Sequence, residues 1–569
     1  MLKTTLFNGI GTALVAVLVC SCATRATLQG GPKDTEAPQC LKSEPANQAV
    51  RVEKPQIRLT FNEYFSLQSP TDSIRITPAQ QKAPQYTVKG KTLWITLKDS
   101  LLPNTTYHVD VEGSVIKDIT EGNAVPAFSY VFSTGETLDS GFLYGEVLDC
   151  YTLEPVARAC VLLYTSADDS CPLRDAPDFF TLSDTKGRFR FEHIPAREYS
   201  LYALLDKNFN RRFDQADEGF AFLPENRKVE ARPLPVTDTL TVETHRLLLF
   251  QERPEKLQFM QQLSPEAGIH RFVFNRPAEN VRLQPMEADA PDFVAEYSPE
   301  KDTVSFYCCD TAYHKRMDFR LLFGEDGMDT VKLIPFGLPS ETSPKGKAAV
   351  LGSAARIPLK AQSKRQVEIH DCFRITFDFP LRSADTSAFL LLKVHQKTRD
   401  TQVVTSVQLR MDSLRPRTLE LDHPLSARYD YTLFVPESAC VACNGRYNDS
   451  LALAFAMKGK KEYGGLKLLL RLPEKQPYIV QLVNPKGQVM YVQSLSPDAQ
   501  AADTGSVFFP FVEEGGYRLR VIGDQNGNNR WDSGKYRTKQ QAEPVFFPAT
   551  PLNVKKRWIT EETIEVLFK

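Results

Sequence analysis

Asp206-Lys207-Asn208-Phe209-Asn210-Arg211-Arg212-Phe213-Asp214 and Asp524-Gln525-Asn526-Gly527-Asn528-Asn529-Arg530-Trp531-Asp532 follow one pattern, D-x-N-x-N-x-R-[FW]-D, 524 − 206 = 318 residues apart. Three other landmarks keep nearly that spacing. Arg58-Leu59-Thr60-Phe61-Asn62 is echoed by Arg374-Ile375-Thr376-Phe377-Asp378, with 377 − 61 = 316. Tyr107-His108-Val109 is echoed by Tyr431-Thr432-Leu433, with 431 − 107 = 324, and Leu143 by Leu466, with 466 − 143 = 323. A near-constant offset over so long a span indicates a pair of domains used twice, not a short-period solenoid.

The surrounding composition suits several packed units. The 569 residues are 42% apolar and 24% charged, an ordinary globular balance with room for roughly four domains. Thirty-eight prolines favour turns and edge strands over long helices. A formal net charge of −1 without a long basic run speaks against nucleic acid, whose binding needs phosphate neutralisation.

Residues 1–21 read as a targeting segment, with Lys3 before the short apolar run Ala13 to Val19, too short to span a bilayer. Val19-Cys20-Ser21-Cys22-Ala23 resembles a bacterial lipobox, in which a small residue precedes the lipidated cysteine. Cys22, behind Ser21, is the expected lipidation site; an ordinary signal peptide cut nearby is the alternative. Setting Cys20 and Cys22 aside leaves 11 − 2 = 9 cysteines, an odd number whose pairing the sequence does not decide. The lone Cys440-Val441-Ala442-Cys443 is expected as a local disulfide or two free thiols, not a redox centre.

Residues 22–36 form a tether containing Gly30-Gly31-Pro32-Lys33-Asp34-Thr35. From 37 to 136 the chain alternates apolar and polar residues in short runs, as at Ile57, Leu59 and Phe61 and at Leu93, Ile95 and Leu97, with turn signals every 8–12 residues or so. Trp94, inside an alternating strand, is expected in a core and not as a sugar platform. Phe61, the corner Pro103-Asn104-Thr105-Thr106-Tyr107, the turn Asp118 to Asn123 and the closing Phe132-Ser133-Thr134 resemble the bacterial Ig-like domain of the SbsA type. Residues 140–250, through Gly145-Glu146-Val147, Thr185-Lys186-Gly187-Arg188-Phe189 and Tyr199-Ser200-Leu201, resemble the carboxypeptidase regulatory-like (transthyretin-like) sandwich, a non-catalytic module. Residues 251–345 read as a β-domain of unclear type and 346–365 as a linker. A divergent second Ig-like domain is expected over 366–460 and a second transthyretin-like sandwich over 464–569. The fold class is therefore all-β: tandem Ig-like and transthyretin-like sandwiches after a lipoprotein signal peptide. The lipobox, the tether and the second Asp/Asn loop together resemble a family of Bacteroidota lipoproteins. That resemblance implies an envelope location and an architecture, not an activity.

The loops carry the one chemical signal. Oxygen side chains at positions one, three, five and nine of a tight turn, with a carbonyl at seven, are what calcium needs. The expected ligands are Asp206, Asn208, Asn210 and Asp214, with the Arg212 carbonyl and Asp217 at the twelfth position. In the second loop they are Asp524, Asn526, Asn528 and Asp532, with the Arg530 carbonyl; Lys535 at the twelfth position cannot coordinate. Arg211 and Asn529 replace the sixth-position glycine of an EF-hand, and arginine adopts the left-handed conformation poorly. A metal-free turn capped by the same side chains is the other reading. Phe213 and Trp531 share one slot, as loop anchors would.

No catalytic constellation accompanies the loops: the eight histidines form no HExxH, and the GxSxG pattern is absent. The expectation is a non-enzymatic, lipid-anchored scaffold of the outer membrane with structural calcium loops. Its partners would be proteins, a β-barrel complex among them, and no nucleic acid. A surface glycan- or peptide-binding module is the alternative. Ala23-Thr24-Arg25-Ala26-Thr27 lacks the acidic residues expected after the lipidated cysteine of a surface-exported protein, which favours the periplasmic side.

Overall fold

The computed structural model describes residues 34–231, 244–336 and 359–568, apart from a few single positions and residues 497–499 and 502–503. The signal segment, Cys22 and most of the expected tether and linker lie outside the described residues. The described chain is tandem β-sandwiches, with only one-turn α-helices at Pro70–Ser73 and Cys171–Arg174. No described helix is long and apolar enough to cross a membrane.

Alternation builds the first unit. Ile57, Leu59 and Phe61 of Gln56–Phe61 and Leu93 and Ile95 of Thr92–Thr96 point inward and are buried. Trp94 lies on the opposite face, against expectation, because strand period two sets it out of phase with Leu93 and Ile95. The Arg58 guanidinium and Lys89 ammonium cover its ring at 4.1 and 5.0 Å. One sheet runs Cys40–Glu44, Gln56–Phe61, Thr92–Thr96, Gln85–Lys89; the other runs Ile74–Thr77, Thr106–Val111, Phe128–Ser133. Apart from a small ribbon, Phe65–Leu67 with Ile116–Asp118, the strand order is first-second-fifth-fourth over third-sixth-seventh. The Tyr107 hydroxyl accepts the Leu102 N–H at 2.7 Å and fixes the corner.

The unit that follows residue 251 repeats that order. Phe259–Glu266, Ile269–Phe274, Thr303–Cys308 and Phe293–Tyr297 form one sheet, and Arg282–Pro285, Met317–Phe323 and Gly327–Leu333 the other. The unit of unclear type is thus a bare Ig-like sandwich without the ribbon. The next unit has the order again, Ala361–Ser363, Arg374–Phe377, Arg415–Leu421, Leu409–Asp412 over Leu390–His395, Tyr429–Val435, Leu451–Met457, with Thr401–Val404 and Gln366–Val367 added at the two edges of the second sheet. Its Tyr431 hydroxyl accepts the Ser426 N–H at 2.9 Å. Its first strand, Ala361–Ser363, falls inside the stretch expected as linker, because it pairs with Arg374–Phe377.

These two Ig-like units share a core, with Ile269 and Tyr307 buried among Phe377, Phe379 and Leu391. Cys309 and Cys443 form a disulfide between them, Cα–Cα 4.9 Å, and Cys440 is free and buried. Neither expectation for Cys440 and Cys443 is met. Cys440 points into the core, while Cys443 reaches the neighbouring unit.

The two units expected to resemble transthyretin share the strand pairings around their loops. In the first, Gly141–Asp149 pairs antiparallel with Arg188–Ile194 and parallel with Thr244–Gln251, and Glu198–Leu205 pairs with Cys160–Tyr164 and Gly219–Phe222. In the second, Tyr463–Arg471 pairs antiparallel with Thr504–Glu513 and parallel with Ile559–Glu565, and Gly515–Gly523 pairs with Tyr478–Val483 and Val545–Phe546. Each Asp/Asn loop directly follows the equivalent strand, Glu198–Leu205 or Gly515–Gly523.

Candidate functional site

The two loops close by the same hydrogen bonds. Asp206 accepts the N–H groups of Asn210 and Arg211 at 3.3 and 2.8 Å; Asp524 accepts those of Asn528 and Asn529 at 3.1 and 2.9 Å. The Oδ1 of Asn208 accepts the Asn210 N–H at 3.1 Å, and that of Asn526 the Asn528 N–H at 3.0 Å. Asn210 and Asn528 each accept the N–H two residues on, from Arg212 and Arg530, at 2.7 Å. The ninth-position carboxylate gathers both amides: Asp214 from Asn208 and Asn210 at 3.0 and 2.7 Å, Asp532 from Asn526 and Asn528 at 2.6 Å each. Positions three, five and nine are therefore tied together by side-chain bonds in each loop, with the amide nitrogens turned to the carboxylate and the asparagine and first-aspartate oxygens turned to the backbone.

Position six is left-handed in both, Arg211 at φ +59° and Asn529 at +58°. Arg211 is held there by its bond to Asp206 and by its guanidinium, 4.0 Å from the centroid of Phe180. Position four is also left-handed: Gly527 at φ +72° and, in the first loop, Phe209 at +61° with its ring exposed.

Asp217 does not join the centre. It pairs with Lys207 Nζ at 2.6 Å, a hydrogen bond that draws its carboxyl below the usual range. Its neighbour Glu218, fully buried, turns in and accepts the N–H groups of Lys207 and Asp214 at 3.2 and 3.3 Å. In the second loop Glu543 does the same, accepting from Gln525 at 2.9 Å and Asp532 at 3.0 Å. Each glutamate thus clamps positions two and nine. Their offsets from the first aspartate differ, 218 − 206 = 12 and 543 − 524 = 19, so no spacing rule finds both. Burial, then the nearby Asp524 and Asp532 charges, raises the Glu543 carboxyl above its ordinary value.

Two carboxylates and two amides in one turn are the residue types a hard cation takes, but the amides turn their nitrogens to Asp214 and Asp532, so ligation requires the asparagine side chains to rotate. Among the described residues no three His, Cys, Asp or Glu side chains gather as a metal site, so an ion here would depend on the asparagine oxygens. Among the described residues no Lys or Arg forms an ion pair with Asp206, Asp214 or Glu218, whereas Arg253 stands 3.8 Å from Asp532.

Both loops abut a seam between the transthyretin-like units. Phe213 stacks on Phe220 at 4.5 Å, and Trp531 packs on Tyr151 at 4.7 Å while donating its Nε1–H to the Glu543 carbonyl. After the second loop the chain makes an excursion to Val545 that the shorter first loop lacks. It drives Tyr536, 2% exposed, into a pocket of the first unit made by Tyr202, Phe213, Phe220 and Phe222. Gly534 lies on the Phe250 ring, where a Cβ would come within 2.7 Å of a ring carbon.

A family model for the bacterial Ig-like domain matches residues 34–134, and the chain carries that domain there. No curated protein matches the chain. Among solved structures it is similar to the N-terminal part of the bacterial S-layer protein SbsC, at 16% identity and TM-score 0.13, over 31% of this chain and 42% of that one. It is similar to the Bacillus anthracis TIE protein at 9% identity and TM-score 0.15, over 95% and 76%. BcpA, the major pilin subunit of Bacillus cereus, is matched at 8% identity and TM-score 0.15, over 75% and 99%. Scores this low carry no argument about function.

Proposed function

We propose that this chain is a non-catalytic, lipid-anchored scaffold of the bacterial outer membrane. Its two Asp/Asn loops bind calcium as structural staples where the transthyretin-like units meet. One observation supports the reading: both loops close by the same set of Asp and Asn hydrogen bonds, and the aromatic residue of each meets the other unit at the seam. A cation would replace the amide-to-carboxylate bonds to Asp214 and Asp532 and stiffen the joint. Asp206, Asn208, Asn210 and Asp214, with the Arg212 carbonyl, would hold one ion. Asp524, Asn526, Asn528 and Asp532, with the Arg530 carbonyl, would hold the other. Cys22 would carry the lipid and set the chain on the periplasmic side, its partners being envelope proteins such as a β-barrel complex.

The test is calcium titration of the full-length protein by calorimetry and thermal melting. Calcium should raise Tm with millimolar-range or tighter affinity, about 10⁻³ M or below. Asp206→Ala with Asp524→Ala should abolish the rise. An equal rise in the double variant rejects the sites. Radiolabelled fatty acid should mark the wild type and not Cys22→Ala; labelling of both rejects the anchor.

A further inference from the structure

The chain uses its Ig-like sandwich three times, so the outer face of one sheet can be compared between copies. In the first unit that sheet is Ile74–Thr77, Thr106–Val111 and Phe128–Ser133; in the last it is Leu390–His395, Tyr429–Val435 and Leu451–Met457. Aligning Tyr107 with Tyr431 matches the outward positions through the register. Arg75, Asp110 and Ser129, side by side across the strands, become Leu390, Phe434 and Ala452. Thr77, His108 and Val131 become Leu392, Thr432 and Ala454.

The three units treat this face differently. In the first it is largely polar and covered: Thr77, Thr106, His108 and Ser133 are buried, the His108 ring lies 5.9 Å from that of His193 in the next unit, and Thr106 Oγ1 accepts the Asp139 N–H at 3.0 Å. In the 251–336 unit it is open and mostly polar: Gln284, Arg320 and Thr330 lie side by side, and Lys332 pairs with Asp318 at 3.4 Å. In the last unit it is open and apolar. Leu390 and Phe434 are each 41% exposed, and Val403, beside Leu392 on the edge strand, is 58% exposed. Ala452 and Ala454 are exposed next to them. A contiguous apolar face left open in this way marks an interaction surface.

The face is complementary to itself. Its large side chains, Leu390, Leu392 and Phe434, stand on two neighbouring strands, and the third strand presents Ala452, Ala454 and Ala456. A two-fold axis along the strands lays the bulky side of one copy over the alanine strand of the other, as aligned sheets pack about 10 Å apart. Asp430, the one charge at the outward positions of these strands, sits at the end of the face, bonded to Gln396 at 2.9 Å. Four strands about 4.8 Å apart and about six residues long give about 400 Å² in plan, before side-chain relief is counted. Specific interfaces begin at about 600 Å² per partner, so the area suits a weak dimer.

We propose that this face pairs with the same face of a second copy of this chain, making a two-fold dimer through the last Ig-like unit. The proposal depends on neither calcium nor the anchor.

Sedimentation velocity on the full-length chain carrying Cys22→Ala, in which no lipid drives association, should show a monomer–dimer equilibrium in the micromolar range. Hydroxyl-radical footprinting should show Leu390 and Phe434 losing reactivity as the dimer fills. Leu390→Arg with Phe434→Asp installs the first copy's side chains at directly opposed positions and should weaken the dimer at least tenfold without lowering Tm. Ala454→Arg, which fills the hole and leaves the large side chains in place, should do the same. A monomer throughout that range overturns the proposal. So does a dimer that either variant leaves intact, which would place the interface elsewhere. A monomer whose Leu390 and Phe434 are shielded only in envelope extract overturns it in favour of a different protein partner.

Discussion

Replacing Tyr536 by alanine should undock the two transthyretin-like units without unfolding either. The side chain belongs to the C-terminal unit, but its surroundings belong to the first, with ring centroids of Phe220 at 4.7 Å, Phe222 at 5.4 Å and Tyr202 at 5.9 Å. A buried tyrosine removes about 150–250 Å² from water, which at about 25 cal/mol per Å² is about 4–6 kcal/mol. Aromatic-to-alanine substitutions in cores cost about 3–5 kcal/mol. The Tyr536 hydroxyl also donates to the Asp169 carbonyl, and Lys539 Nζ sits 3.8 Å from the ring centroid. Taking about 4 kcal/mol, the ratio of docked to undocked chains falls about 10³-fold. Hydrogen exchange on the full chain reads this directly. The amides of Lys535, Lys539 and Gln540, bonded inside the excursion at 2.8, 2.9 and 2.9 Å, should exchange up to about 10³-fold faster. The interior strands around Val161 and Val480 should keep their protection. Tyr536→Phe, losing only the hydroxyl, should cost about 1 kcal/mol and give a several-fold effect. Equal acceleration in the excursion and both cores would mean the units unfold together. No acceleration anywhere would mean the pocket does not hold the tyrosine in solution. Either result refutes the reasoning.

Two further outcomes are expected. Opening the Cys309–Cys443 bridge, by reductant or Cys309→Ser, releases a constraint over a sequence separation of 134 and should cost up to about 5 kcal/mol in guanidinium unfolding; Cys440→Ser should not reproduce this loss. Burial holds the His108 imidazole below its ordinary value, with the neighbouring Asp110 and Glu192 pulling it up and His193 pushing it down. Because the folded value is the lower one, His108 contributes stability that is present above the unfolded pKa and lost as pH falls through the folded one. Urea melts between about pH 8 and pH 5 should therefore show stability falling on acidification, with a smaller fall in His108→Phe; identical slopes would exclude this histidine as the cause.

Much of the fold was legible because duplication turns one sequence into two readings of the same physics. RLTF and RITF, separated by 316 residues, both become the second strand of an Ig-like sheet, and Tyr107 and Tyr431 both brace a corner. The 251–336 unit hid because it lacks the landmark corner and ribbon; its kinship lies in strand order, which no local pattern encodes. The partner of Cys443 lies in another unit, at a distance no spacing rule bridges. Tyr536 hid because a polar excursion rich in Lys, Arg and Gln reads as solvent loop, yet one aromatic side chain decides where it goes.

The clamp glutamates show what a spacing argument can reach. Counting twelve residues from Asp206 lands on Asp217, one short of Glu218, and in the second loop on Lys535, eight short of Glu543. The requirement is set by the backbone, not by the count: the N–H groups of positions two and nine face inward once the turn closes, and buried donors need an acceptor. A nearby strand supplies one from whichever position is aligned with it, directly before Gly219–Phe222 in one copy and two residues before Val545–Phe546 in the other. The excursion that carries Tyr536 to the seam occupies the extra residues between Asp532 and Glu543. The second loop thus keeps its clamp while gaining the contact that joins the two halves of the chain.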